Sequence, residues 1–176
     1  GSKGLSGVIN IIAISGSRNG FSSSVATEFG TDGTKMGALD FSVGQDNFDV
    51  SGSVTLRHTD GFNISSLGNE LDGATHFNAD LKFNADVTPH LAIDGVVRYG
   101  VYHADNDSEG WPSRVVEDTF DTLKGDDTLA ALGFTWESED GSLFQSGRIS
   151  GTRVDKEYFD DFGAPTFGTT GDIYKA

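Results

Sequence analysis

The chain has 176 residues, 27 acids against 12 Lys and Arg, a formal net charge of −15, and no cysteine. This balance excludes a nucleic-acid face, which needs Lys and Arg to meet phosphates. The missing thiols exclude a disulfide framework and a thiolate metal site. No run of about 18 apolar residues is present, so no transmembrane helix is expected, whereas transmembrane strands, being only half apolar, remain compatible with the composition. Met36 is the only methionine and no signal peptide is visible, so the chain is expected to be processed, trimmed or a fragment.

Residues 1–20 differ from all that follows. Val8-Ile9-Asn10-Ile11-Ile12 is a short apolar run without strict alternation, which suits burial on both faces. Residues 15–20, Ser-Gly-Ser-Arg-Asn-Gly, read as a hinge. Beyond the hinge, a period of two dominates, and with it the expectation of strands. Seven are read: 21–30, 35–44, 48–59, 74–87, 91–104, 128–138 and the less regular 143–158. The clearest is 77–87, where Phe77, Ala79, Leu81, Phe83, Ala85 and Val87 alternate with Asn78, Asp80, Lys82, Asn84 and Asp86. Eleven residues is long for a globular strand and close to the roughly nine to eleven that cross a tilted barrel wall. No segment sustains a 3.6-residue period, so almost no helix is expected.

The connections are read as alternately tight and long. Residues 45–47, 88–90 and 139–142 are tight; 63–73 and, above all, 106–127 are long, and 161–176 is turn-rich. Only 31–33 is short where a long loop is due. Short turns at one end and long loops at the other are the asymmetry of an outer-membrane barrel. The expected fold is therefore all-β: an antiparallel meander forming part of a transmembrane β-barrel, about seven strands of a larger one.

The opening residues Gly1-Ser2 and Gly7-Val8-Ile9-Asn10-Ile11-Ile12 resemble the end of the plug domain of TonB-dependent outer-membrane receptors. Gly4-Leu5-Ser6 and Ala13-Ile14 depart from that family's usual residues at their positions. Residues 50–102 are similar to the early barrel of vitamin B12 and siderophore receptors, with His58-Thr59-Asp60-Gly61-Phe62 as a strand-to-loop exit. The resemblance implies a plug end over 1–14, a hinge over 15–20 and the N-terminal part of a receptor barrel over 21–176. That family's barrel has about 22 strands, so the chain is read as an interior fragment. The implied function is energy-coupled uptake of a scarce nutrient such as a siderophore or cobalamin. The implied partners are a small-molecule nutrient, the lipid of a Gram-negative outer membrane, and TonB through a missing N-terminal region.

No catalytic residues are expected: His58, His76, His90 and His103 are scattered, and no phosphate loop or dinucleotide fingerprint occurs, so the chain is not read as an enzyme. No cofactor is expected. Asp105, Asp107 and Glu109, at alternate positions before Gly110, begin like a calcium loop. Val116 stands where a closing acid belongs, and a solvated acidic loop is the favoured reading over calcium. Some vitamin B12 receptors bind calcium in extracellular loops; their acidic cluster lies in the preceding loop, where this chain has only Glu70 and Asp72. His103, Trp111, Arg114 and Phe120 are ligand-loop candidates, because binding residues concentrate on loops held by a rigid scaffold; self-packing of the loop is the rival reading for each. A secreted or surface β-sandwich binding module or adhesin, with a soluble core between two sheets, is the alternative to the barrel.

Overall fold

The computed structural model describes residues 19–65, 67–110 and 112–176. The expected plug end and most of the expected hinge lie outside these residues. Eight strands follow one another: β1 Gly20–Phe29, β2 Lys35–Gln45, β3 Phe48–Phe62, β4 Asp72–Thr88, β5 Leu91–Glu109, β6 Val116–Glu137, β7 Phe144–Phe159 and β8 Pro165–Lys175. They form one antiparallel sheet in the order β1 to β8, each strand paired with its sequence neighbours, and the sheet is not closed. Among the described residues there is no helix.

Two expectations are corrected. The stretch 106–127, read as a long connection, is mostly strand: β5 runs on to Glu109 and β6 starts at Val116. The residues from 165 onward, read as turns, form an eighth strand, β8. In both stretches the apolar half of the alternation is broken, with few apolar residues such as Phe120 and Ile173 spaced irregularly. Residues 116–127 carry Glu117, Asp118, Asp121, Asp126 and Asp127, and β8 carries Gly168 and Gly171. Asp and Gly are depleted in strands because they pack poorly on a pleated surface. Here the ladder to a longer neighbour supplies the order instead: β6 pairs with β5 from Leu91↔Trp136 to Glu109↔Val116. The loop-length asymmetry shrinks accordingly. The β2–β3 and β4–β5 turns are tight, while 138–143 is as long as 110–115 at the other end.

The register sorts side chains onto two faces, because alternate residues point to opposite sides. One cross-strand row reads Leu39, Val54, Ala79 and Tyr99; the next reads Phe41, Gly52, Leu81, Val97 and Ala130; a third holds Val43, Val50, Phe83, Gly95, Leu132 and Ile149. Leu56 and Phe77 continue the same face at one end, and Ile93, Phe134 and Trp136 at the other. Yet among the described residues no hydrophobic side chain is buried: Leu56, Leu81, Val97 and Ile149 are each about half exposed or more. The most enclosed side chains are polar and include Asp49, Ser42 and Ser51 on the opposite face.

That opposite face is knitted by polar contacts. Arg98 Nε donates to Asp80 Oδ1 at 2.6 Å and Asn84 Nδ2 to Asp49 Oδ1 at 2.9 Å. The Ser22 and Ser42 hydroxyls lie 2.8 Å apart, and Ser24 donates to Asp40 at 3.1 Å. Arg148 pairs with Asp94 across Gly133, which stands between them in the register.

Glycine serves the apolar face in the same way. The Phe41 ring lies over Gly52 and the Phe134 ring over Gly147; a Cβ at either glycine would sit 2.6 Å from the ring. Phe83 covers Gly95, where a Cβ would clash more severely. An aromatic laid across a strand glycine fills the missing side chain's place and pins the register. Gly95→Val should therefore displace Phe83 and cost about 1–3 kcal/mol, the usual range for overpacking, read as a lower denaturant midpoint at unchanged slope.

Candidate functional site at the loop end of the sheet

The long strands β5 and β6 carry their hairpin beyond the rest of the sheet, and the β3–β4 loop, 63–71, folds onto it. The pairing of β5 with β6 is regular up to Asn106↔Asp121 and resumes at Ser108↔Glu117. Two extra residues of β6 are thus pushed out between those pairs, as in a β-bulge. The irregularity leaves Asp107 and Asp118 free to accept hydrogen bonds from outside the ladder. Asp107 Oδ2 accepts from the Ser65 amide at 3.1 Å and Oδ1 from the Thr119 amide at 2.9 Å. Asp118 Oδ1 accepts from Asn63 Nδ2, and Oδ2 from the Asn69 amide, each at 3.0 Å. The enclosed Ser65 hydroxyl donates to the Val116 carbonyl at 2.7 Å. Gly68, at φ 95°, lies so close to the Asp118 carboxylate that a side chain there would collide with it.

One oxygen each from Glu70, Asp107 and Asp118 lies within 4.8 Å of the others. A single hard cation takes carboxylate oxygens at roughly 2.3–2.6 Å, so these three acids could hold one, although Asp107 and Asp118 already accept amide hydrogens. The Glu70 carboxyl is pushed above the usual carboxylate range, first by partial desolvation and then by the negative charges of Asp72, Asp105, Asp107 and Asp118.

The sequence-derived triad Asp105, Asp107 and Glu109 divides. Asp107 joins the three-acid group, Asp105 acts on Glu70 through its charge, and Glu109 pairs with Val116 at the end of the ladder. These positions belong to strand β5, not to a calcium-type loop. His103 is on β5 opposite Thr75 and Lys124, with Nε2 3.9 Å from Asp105. Arg114 occupies the hairpin turn with φ 58°, its amide donating to Gly110 O at 2.8 Å. Phe120 is exposed on β6, and its amide donates to Asp161 Oδ1 at 2.6 Å, tying the hairpin to the β7–β8 loop. Trp111 lies outside the described residues.

Sequence reasoning missed Asn63, Ser65 and Asp118. Glu70 was within reach as an acid of the preceding loop, but nothing local marks Asp118, whose role depends on the bulge. No protein-family model, curated protein or solved structure matches this chain.

The raised Glu70 pKa fixes a sign. A carboxyl that holds its proton more tightly when folded contributes stability fully below its unfolded pKa and loses it as pH rises through the folded one. At neutral pH its charge opposes loop docking. Glu70→Gln should slow amide exchange at Ser65 and Asn69 at pH 7, with the gain over the parent vanishing well below pH 4.5, the ordinary Glu value. Asp118→Ala should accelerate exchange across 63–71 at every pH. Both effects are read by hydrogen-exchange mass spectrometry after correction for intrinsic rates.

Proposed function

We propose that this chain forms part of the wall of an outer-membrane β-barrel, in a receptor for energy-coupled nutrient uptake. One observation carries the membrane reading: a single meander has one apolar face, one polar face knitted by hydrogen bonds, and no hydrophobic core among the described residues. Soluble monomers rarely expose contiguous apolar patches beyond a few hundred Å², so this face requires a cover, and lipid is the cover that suits a convex barrel exterior. A soluble β-sandwich would bury such a face against a second sheet; the described residues form one sheet only.

Closure geometry supports a wall of a larger barrel. Strands about 4.8 Å apart and tilted 35–45° accumulate roughly 8–12 residues of stagger over eight strands. Following the register, Ser22 of β1 is level with Lys175 of β8, and Phe29 with Gly168. β1 has 10 residues and β8 has 11, so an offset of that size leaves almost nothing to pair. The more specific reading, a TonB-dependent receptor, is supported by the plug-like pattern of Gly7 to Ile12, residues outside the described structure. The nutrient itself is left open.

Two measurements test the membrane reading. Trp136 shares the apolar face, and the chain has two tryptophans. In Trp111→Phe protein reconstituted in vesicles, lipids brominated on their acyl chains should quench Trp136 strongly; quenching by aqueous acrylamide alone would refute lipid contact. Leu81→Arg should cost about 2–4 kcal/mol of unfolding free energy in lipid if residue 81 lies near the bilayer midplane.

A further inference from the structure

Beyond the apolar face of the sheet, at the opposite end from its tight turns, lies a second set of exposed apolar side chains. Ile64, Leu67 and Leu71 on the β3–β4 loop, Val115 and Phe120 on the β5–β6 hairpin, and Phe162 on the β7–β8 loop are 42–94% exposed. The three segments that carry them are tied together. Ser65 bonds to Asp107 and Val116, Asn63 to Asp118, and the Phe120 amide to Asp161. Large side chains held in the open by a braced framework resemble a contact surface more than loop packing. These chains stand among charges. Segments 60–72, 105–121 and 160–164 hold eleven Asp and Glu and one basic residue, Arg114. The surplus is local: on the polar face of the sheet, Arg98 faces Asp80 and Arg148 faces Asp94. Glu70 feels that field too: its carboxyl is pushed up first by partial desolvation and then by the charges of Asp72, Asp105, Asp107 and Asp118.

We propose that the loop end of this sheet is a docking surface for a cationic amphipathic ligand, a molecule with apolar groups to cover the loop aromatics and positive charge to meet the surrounding carboxylates. The sign follows from charge complementarity: an anionic ligand would meet net repulsion, and a neutral apolar one would leave the field unused. The apolar groups are needed because exposed carboxylates alone give a small cation little affinity in water. The proposal takes the identity of the loop end from the sheet and rests on the receptor reading only for its biological use.

The test uses the full chain folded in zwitterionic detergent micelles, with micelles alone and urea-unfolded chain as references. A dye-labelled octapeptide of alternating Leu and Lys should bind the folded chain at least about tenfold more tightly than its Leu-Glu counterpart and than tetralysine. Its affinity should fall as salt rises from about 50 to about 500 mM. Phe120→Ser with Phe162→Ser should weaken binding about tenfold or more, and Glu109→Gln with Glu117→Gln should reduce the salt dependence. Equal binding of the Glu counterpart, equal binding by the unfolded chain, or indifference to the two Phe substitutions overturns the proposal. A chain that binds the Lys peptide in this way but shows no acyl-chain quenching of Trp136 would sink the membrane reading and leave this surface standing.

Discussion

The continuous antiparallel ladder is the constraint on which the rest of the structure depends. Every strand pairs with its sequence neighbours, so the backbone groups over most of β2 to β7 have ladder partners on both sides without any layer packed against the sheet. A soluble domain of this size normally draws its stability from apolar burial between two layers; here the described residues bury no hydrophobic side chain. What replaces a core is edge-to-edge order: the ladder, cross-strand side-chain pairs, and aromatic rings laid over strand glycines. Such order is local between neighbours and extends across the sheet without needing a centre. It also explains how β6 remains a strand through 116–127, where the side chains alone argue against one.

The two faces solve the same packing problem with different chemistry. On the apolar side, Gly52, Gly95 and Gly147 each receive a phenylalanine from the preceding strand. On the polar side, Gly133 lets the Asp94 and Arg148 side chains meet across an intervening strand. A larger residue at any of these positions would force its neighbour off the sheet. The strand glycines, which would weaken an ordinary sheet, here set where its large side chains lie.

The core of the fold was legible because its signal is periodic. The pattern at 77–87 gives β4 directly, and the strands read at 35–44, 48–59 and 143–158 fall within one to three residues of β2, β3 and β7. Periodicity reports contrast between two faces, and where both faces are polar there is no contrast to read. The last residues of β5, the first half of β6 and all of β8 carry too few apolar side chains in strict alternation to read as strands from sequence. The loop-end site was legible only in part. Asp107 stands out by its spacing to Asp105 and Glu109, yet the residues it meets, Ser65, Glu70 and Asp118, come from a segment up to 42 residues upstream and from within a bulge downstream. A bulge changes which residues meet without leaving a compositional trace.

The chain's charge follows the same division of space. Like charges repel, and their repulsion costs least where water screens it. On the polar face, bases and acids alternate closely enough to pair, as at Arg98 with Asp80 and Arg148 with Asp94. At the tight-turn end, Asp140 lies in water, where hydrogen bonds from the Ser138 and Ser142 side chains hold its pKa down to about 2. At the loop end the carboxylates crowd together, and the structure stabilises them with amide donors: Asp107 and Asp118 accept from Ser65, Thr119 and Asn69. Glu70 has no such compensation for its enclosed oxygen, and its pKa rises. A surface that keeps excess negative charge beside exposed aromatics is poised to gain free energy when positive charge and apolar area arrive together, which neither lipid chains nor a small cation alone can supply.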